Sequence, residues 1–358
     1  MKLNSSLRFT HYILERARLE TIHNLAKLNF KQDFVTLCIL KIKAILALLL
    51  WRFRMNEAKS IWMDGKLVPW KEANVHILTH TLHYGNGVFE GTRAYKTDKG
   101  MAIFRLQDHA KRLINSAKIV AIVPTYTQEE IAKAHIDVLK DNAFNGNVYL
   151  RGIIYLGYGV MGVYHKNAPV QTSVAAWEWG AYLGDEGLEK GIRVKTSSIV
   201  RNSTKSLFGK AKAVGNYLNS QMAKFEAIEC GYEEALLLDE NGMVAEGSGE
   251  CFFIVRNGVL ITPPSDSVLE SITQDSIITI AQDLGIKVER RNITRDEVYI
   301  ADEAFFVGTA AEVTPICELD ARVIGSGRRG EITHKLQNAF FDVVYGRDEK
   351  FSHWLTYI

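Results

Sequence analysis

The sequence has 358 residues and a mass of 40.3 kDa, enough for one large domain or two ordinary ones. Apolar residues make up 47% and charged residues 23%, the balance of a globular protein and not of a disordered or fibrous one. With 43 Lys and Arg against 41 Asp and Glu, no basic excess is available to neutralise phosphates, which argues against nucleic acid as a partner. Cys38, Cys230, Cys251 and Cys317 lie far apart, so neither a disulfide framework nor a structural zinc site is expected.

Residues 1–54 stand apart. They hold ten Lys and Arg, three Asp and Glu, and no Gly or Pro. Their apolar run, Phe34 to Trp51, is broken by Lys41 and Lys43. Two central lysines offset the insertion energy of the apolar residues, so membrane association is not expected. The run also starts too late for a secretory signal and lacks a cleavage site. A basic interfacial helix, a buried helix, or sequence upstream of a start at Met55 all fit; the break in composition favours the last. The expected location is cytoplasmic.

From Ser60 the chain reads as alternating short strands, tight turns and helices. Asp64-Gly65 between Ile61–Met63 and Lys66–Val68 predicts a hairpin with a type I′ turn. A strand pair, Gly87–Lys96 and Met101–Leu106, flanks Lys99-Gly100. Helices follow at Asp108–Val120 and Thr127–Phe144, the second with Thr127 and Glu130 as a capping box. Strands are expected at Val148–Leu156, Ser173–Tyr182 and Ile192–Ser198, and a helix at Ala213–Cys230 stopped by Gly231. Asn241-Gly242 and Asn257-Gly258 mark two more hairpins. A helix at Thr273–Leu284, one capped by Thr294 with Glu297, a buried strand Ala304–Val307 and a closing helix Thr333–Tyr345 complete the chain. Hairpin runs without one-for-one helices indicate α+β with mostly antiparallel sheets. The Gly-rich, acidic stretch at 180–190 suggests two domains, 55–183 and 184–358.

Several signals are weak alone. Gly157 to Gly162 matches the spacing GxGxxG, but the residues up to Pro169 cannot open the helix that a dinucleotide site needs. His76, His80 and His83 lack further ligands for a metal. Ser271-Ile272-Thr273 opens a helix and offers free amides to an anion. Gly308 to Ala311 is a small-residue turn after a buried strand. Lys212 sits among small residues ahead of a helix, and Glu246 ends a strand in Val244 to Glu250.

Their order and context carry a resemblance. From Ser60 to Ile358 the chain resembles the branched-chain amino-acid aminotransferases of fold type IV, a two-domain α+β fold of class IV pyridoxal-phosphate enzymes. The matching stretches are His83-Tyr84-Gly85 with Val88 to Gly91, His109 to Ser116, and Trp179 to Tyr182. Lys212-Ala213 with Gly215 to Leu218, Glu246 to Glu250, and Gly308 to Glu312 with Thr314-Pro315 extend the match. Residues 1–54 have no counterpart in it. Cys251 stands where Asn is usual, and Gln274 where Lys or Arg is usual.

The resemblance implies that Lys212 carries pyridoxal phosphate as a Schiff base and shuttles the proton. It implies Glu246 at the pyridine nitrogen, Tyr217 at the ring hydroxyl, and Arg112, Ile272, Thr273 and Thr309 at the phosphate. For the substrate it implies Thr309, Ala310 and Tyr149 at the α-carboxylate and Phe89, Trp179, Tyr182 and Tyr217 around the side chain. Arg151 would receive the second carboxylate of glutamate. Tyr84, Met161 and Val163 would come from a neighbouring subunit of a homo-oligomer, a dimer or a trimer of dimers. The implied partners are leucine, isoleucine, valine, glutamate and their 2-oxo acids. A D-amino-acid aminotransferase or an aminodeoxychorismate lyase of the same fold is the alternative.

Overall fold

The computed structural model describes residues 57–180, 182–266 and 268–358. The expectations for residues 1–54 lie outside the described residues. Two sheets organise the rest. Strands β1 (Ser60–Met63), β2 (Lys66–Pro69), β3 (Gly87–Thr97), β4 (Gly100–Phe104), β5 (Val148–Leu156) and β6 (Val170–Glu178) belong to the first. Strands β7 (Ile192–Thr196), β8 (Glu234–Leu238), β9 (Val244–Gly247), β10 (Cys251–Arg256), β11 (Val259–Thr262), β12 (Val288–Arg290), β13 (Glu303–Gly308), β14 (Glu312–Leu319) and β15 (Arg322–Val323) form the second. The last strand, β16 (Leu355–Tyr357), returns to the first sheet against β4.

The first sheet runs β16-β4-β3-β5-β6-β1-β2 and is antiparallel throughout. The second runs β12-β11-β10-β13-β14-β7-β8-β9, with β15 on β14. Only its β11–β12, β14–β7 and β7–β8 pairs are parallel. The hairpin turns follow their residues. Asp64 and Gly65 take φ of 45° and 89°, and Asn257 and Gly258 take 51° and 75°, the left-handed pair that a type I′ turn requires.

The helices are α1 (His80–Tyr84), α2 (Leu106–Ile119), α3 (Gln128–Asn142), α4 (Asp185–Lys190), α5 (Tyr217–Glu229), α6 (Ile272–Asp283), α7 (Arg295–Tyr299) and α8 (Glu331–Val344). On α3 both halves of the Thr127/Glu130 capping box form. On α7 the predicted cap does not: Thr294 makes no capping bond to the helix backbone, its side chain pairing with Asp296 instead, and Glu297 is drawn to Arg291 at 2.5 and 2.9 Å. The strand expected at 173–182 is displaced to Val170–Glu178. Pro169 sets its start, and the chain leaves the sheet at Trp179.

Helices α2 and α3 pack Leu113, Ile131 and Val138 onto Leu150, Ile154 and Val174 of the first sheet. Helices α6 and α8 pack Ile277, Ile280 and Phe340 onto Phe253, Phe305 and Val307 of the second. No helix among the described residues is long and apolar enough to cross a membrane. Phe305 has no exposure and stacks on Phe253 at 5.1 Å. Phe305→Ala should cost about 3–5 kcal/mol in a urea titration; a cost below about 1 kcal/mol would show that this layer collapses freely.

Candidate active site

Strand β3 brings the chemistry-bearing loops to the first sheet. Phe89 N donates to the carbonyl of Lys212 at 3.0 Å, and Lys212 N donates to Ser116 Oγ on α2 at 3.1 Å. The lysine backbone is thus fixed from two sides. Its Nζ donates to Tyr217 Oη at 2.6 Å and lies 5.2 Å from the centres of both the Phe89 and Tyr217 rings. Those rings meet edge-on at 4.6 Å.

Tyr217, Glu246, Arg112 and Thr309 line one cleft, with Ser248 to Cys251 and Ser271. Glu246 is buried and its Oε1 lies 2.6 Å from Arg201 Nε. Burial raises the Glu246 pKa above the usual carboxylate value, and Arg201 and Lys212 oppose that rise. Beside it, burial and Glu234 push Glu250 up to about 8, while burial and Glu246 push the Cys251 thiol up to about 12. At neutral pH the Cys251 thiol therefore stays protonated in the cleft wall.

Arg112 leans on a buried carboxylate. Its Nε and Nη2 each donate to Glu90 at 2.9 Å, and Nη1 donates to the Glu270 carbonyl at 2.8 Å. His109 Nδ1 lies 2.5 Å from Glu90 Oε2. Burial opposes ionisation of Glu90, but Arg112 and His109 outweigh it and hold its pKa at about 2. Burial keeps His109 below its ordinary value in spite of Glu90. Ser271 Oγ caps α6 by accepting from Gln274 N at 3.1 Å. The amides of Ile272 and Thr273, in the first turn, have no intrahelical acceptor.

A second group surrounds Tyr149. Its hydroxyl accepts from Arg151 Nη2 at 3.2 Å, and its ring meets Trp179 at 4.9 Å, which meets Tyr182 at 5.5 Å. Arg151 covers Phe89 at 4.5 Å and Tyr149 at 5.4 Å. Gly91 makes room for this arrangement, since a Cβ there would stand 1.9 Å from Tyr149 Oη.

Tyr84, Met161 and Val163 are not brought to the Lys212 group within this chain. Tyr84 Oη accepts from Gly162 N at 3.0 Å, and all three side chains are exposed, as are Ile77, Leu82 and Tyr164. Of the residues singled out for departing from the family pattern, Cys251 faces the cleft. Gln274 is turned into the sheet, donating to Thr262 Oγ1 at 2.8 Å and accepting from Arg290 at 3.3 Å.

Reading the sequence missed Arg201, the Glu90–His109 pair and a buried cluster around Arg93. Arg93 Nη2 donates to the Gly180 carbonyl at 2.7 Å and the Ala310 carbonyl at 3.4 Å. Its Nη1 pairs with Glu312, which also accepts from Tyr95 Oη at 3.0 Å. This cluster fixes the turn that carries Thr309 and Ala310. Alternation along β3 was the available signal, since it puts Arg93 on the face of Phe89.

Residues 87–319 match the family described as Amino-transferase class IV. The chain belongs to the class IV aminotransferases. It is 50% identical over 298 residues to the branched-chain-amino-acid aminotransferase of Pseudomonas aeruginosa, covering 83% of this chain and 97% of that protein. It is 42% identical over 308 residues to the enzyme of that name from Escherichia coli K12, covering 85% and 98%. Among solved structures, a T.th. branched-chain amino acid aminotransferase with pyridoxamine 5′-phosphate superposes with a TM-score of 0.82 at 47% identity, covering 85% of this chain and 99% of that one. The two sheets are thus those of fold type IV, and members of the family depend on pyridoxal phosphate.

Gly91→Ala should displace Tyr149 and with it Arg151. Transamination should fall roughly 100-fold, as a misplacement of about 1 Å can cause, against a stability loss of about 1–3 kcal/mol for overpacking. Steady-state kinetics and urea unfolding of one preparation separate the two effects. Unchanged kinetics would mean that the Tyr149 hydroxyl is not needed where it lies.

Proposed function

We propose that the chain is a branched-chain amino-acid aminotransferase, moving the amino group between L-leucine, L-isoleucine or L-valine and 2-oxoglutarate to give branched-chain 2-oxo acids and L-glutamate. The observation that carries this reading is the 2.6 Å bond from Lys212 to Tyr217, a tyrosine that lines the same cleft as Glu246, beside a wall of aromatic side chains. The donor set suits pyridoxal phosphate: an amine, a phenol, a buried carboxylate, a guanidinium and a helix start. Arg112 uses three donors on the protein, so two of its five N–H groups remain for a phosphate.

In this reading Arg112, the amides of Ile272 and Thr273, and Thr309 hold the phosphate, with the charge of the guanidinium and the helix dipole both favouring an anion. Tyr217 holds the ring hydroxyl and Glu246 the ring nitrogen. When bound, pyridoxal phosphate supplies the electron sink that lets the substrate Cα–H bond ionise. Lys212 Nζ attaches the cofactor and then takes the Cα proton. The turn Thr309-Ala310 and Tyr149 bind the α-carboxylate. Phe89, Trp179, Tyr182 and Tyr217 exclude water around a branched side chain, worth about 1.5–3 kcal/mol on burial.

We also propose a boundary near residues 183 and 184 between two domains, supported by the gap between β6 and β7, with β16 crossing back. A second copy of the chain is the proposed cover for the patch bearing Tyr84, Met161 and Val163. Val163 is 86% exposed and Ile77 73%, more than isolated apolar residues on a monomer explain. The patch continues across the contact of Gly215 N with the Gly85 carbonyl at 3.1 Å to Leu218, Met222 and Phe225 of α5, also exposed. A homo-oligomer would thereby complete each pocket.

Borohydride reduction of the purified protein followed by peptide mapping should place the cofactor on Lys212. Lys212→Ala should fold, lose the adduct and lose transamination; an adduct on Lys210 in that variant would move the attachment site. A separate outcome tests Arg151. In single turnover, Arg151→Met should leave conversion by leucine intact while conversion by glutamate falls about 30-fold or more, from a loss of 2–5 kcal/mol for an unpaired buried charge. Equal losses for both donors would assign Arg151 to packing alone.

A further inference from the structure

Glu246 is not alone in its site. Arg201 comes from the loop after β7, where its backbone N donates to the Leu238 carbonyl at 2.8 Å. Its Nη1 donates to Asn219 Oδ1 and Ser220 Oγ of α5, both at 3.1 Å. Held by a strand and a helix, the guanidinium presents Nε to Glu246 Oε1 at 2.6 Å. Both side chains are about nine-tenths buried, at 10% and 7% exposure, so water screens the pair little.

We propose that Arg201 is a positioning residue for the aminotransferase reaction: its ion pair keeps Glu246 ionised and fixes which carboxylate oxygen is left to face the cleft. The inference rests on the functional reading above, in which Glu246 meets the ring nitrogen. A carboxylate that kept company only with low-dielectric protein would take up a proton and offer the ring an acid instead of an anion. With one oxygen committed to a fixed cation, the other remains a hydrogen-bond acceptor of set direction.

The other groups facing Glu246 do not substitute for Arg201. Lys212, from the loop before α5, is the second cation acting on it, but its amine is the group that attaches the cofactor and changes protonation during the reaction. Glu250 and Cys251, from the turn and strand that follow β9, bring no cation: Glu246 raises their own pKa values. Tyr217, in the same cleft wall, is committed to Lys212. Arg201 is therefore the cation whose charge does not vary with the chemistry.

Glu246 already titrates above its unfolded value because it is buried, so its contribution to stability is full below the unfolded pKa and is lost as pH rises through the folded one. Removing Arg201 raises the folded pKa further and enlarges the loss at neutral and alkaline pH. In the loaded enzyme the ionised carboxylate would then be reached only at higher pH.

The test uses Arg201→Met, Arg201→Gln and Arg201→Lys, each alone and Arg201→Met also with Glu246→Gln. In the cofactor-free protein, the deficit in melting temperature of Arg201→Met relative to wild type should widen by about 3 °C or more between pH 5 and pH 8. Adding Glu246→Gln should remove that widening, because no carboxyl remains to titrate. In the loaded enzyme the acid limb of kcat/KM should move up by about one pH unit or more, and Arg201→Lys should recover part of the shift. Arg201→Gln reports the same two quantities should the methionine variant fail to fold. A deficit that stays constant with pH, or an acid limb that does not move, would reduce Arg201 to a brace between β8 and α5. If pyridoxal phosphate fails to bind the wild type, the functional reading falls, while the cofactor-free comparison still decides whether Arg201 sets the ionisation of Glu246.

Discussion

Strand β3 cannot slip by one residue against β5 without dismantling the candidate site. Side chains alternate faces along a strand, and β3 uses both. Phe89, Gly91, Arg93 and Tyr95 fall on one face, touching Lys212, Tyr149, the 309–310 turn and Glu312 in that order. Glu90 falls on the other and meets His109 and Arg112 of α2. The register is held by an uninterrupted ladder from Gly87–Tyr155 to Ala94–Val148. A slip would bury Phe89 against Arg112 and turn Glu90 toward the aromatic wall, exposing each to the wrong chemistry.

Buried charges then join parts of the chain that lie far apart in sequence. Glu90 meets Arg112, Arg93 meets Glu312, and Arg201 meets Glu246. Taking such pairs out of water costs much of what their attraction returns, so they are weak sources of net stability. Breaking one is a different matter, at about 3–5 kcal/mol for the charge left behind. Their effect is to penalise any arrangement in which the loops sit elsewhere. Three segments that bear the candidate cofactor and substrate residues are held this way, where hydrophobic contact alone would allow sliding.

What could be read from the sequence divides along the same line. Hairpin turns at Asp64-Gly65 and Asn257-Gly258, the capping box on α3 and the end of α5 at Gly231 are local: the residues that cause them are neighbours. Lys212, Tyr217 and Glu246 were legible through a resemblance; Tyr217 and Glu246 line one cleft, and Lys212 bonds to Tyr217. Arg201, Arg93 and His109 were not legible as partners, because one arginine or histidine in a sequence carries no mark of what it will meet. The same limit explains the missing cap at Thr294. Its motif was present, but Asp296 takes the Thr294 side chain and Arg291 takes Glu297, and a pattern of spacing does not weigh competitors. Strand β14 also escaped notice, since it opens at Glu312 with a φ of 55° and contains Pro315, both poor strand signals.

In the proposed reading, the position of Arg151 would let one pocket serve an apolar and an acidic side chain without rebuilding. Its guanidinium lies over the Phe89 and Tyr149 rings, and among its described hydrogen bonds only Nη2 is engaged, on Tyr149. Its buried Nε has no partner. Stacking on aromatic faces is worth about 0.5–2 kcal/mol, enough to park a cation beside an apolar wall and too little to compete with a carboxylate. An ammonium would not do the same, since it is more strongly hydrated and lacks a planar face to lay on the rings. With a branched aliphatic side chain in the pocket, the guanidinium keeps its aromatic contacts and the apolar surface stays closed. With a second carboxylate, the uncommitted donors would supply the charge and hydrogen bonds that burial of an anion demands. The rings beneath the guanidinium would be the same ones that line the apolar pocket, so one set of contacts would serve both donors.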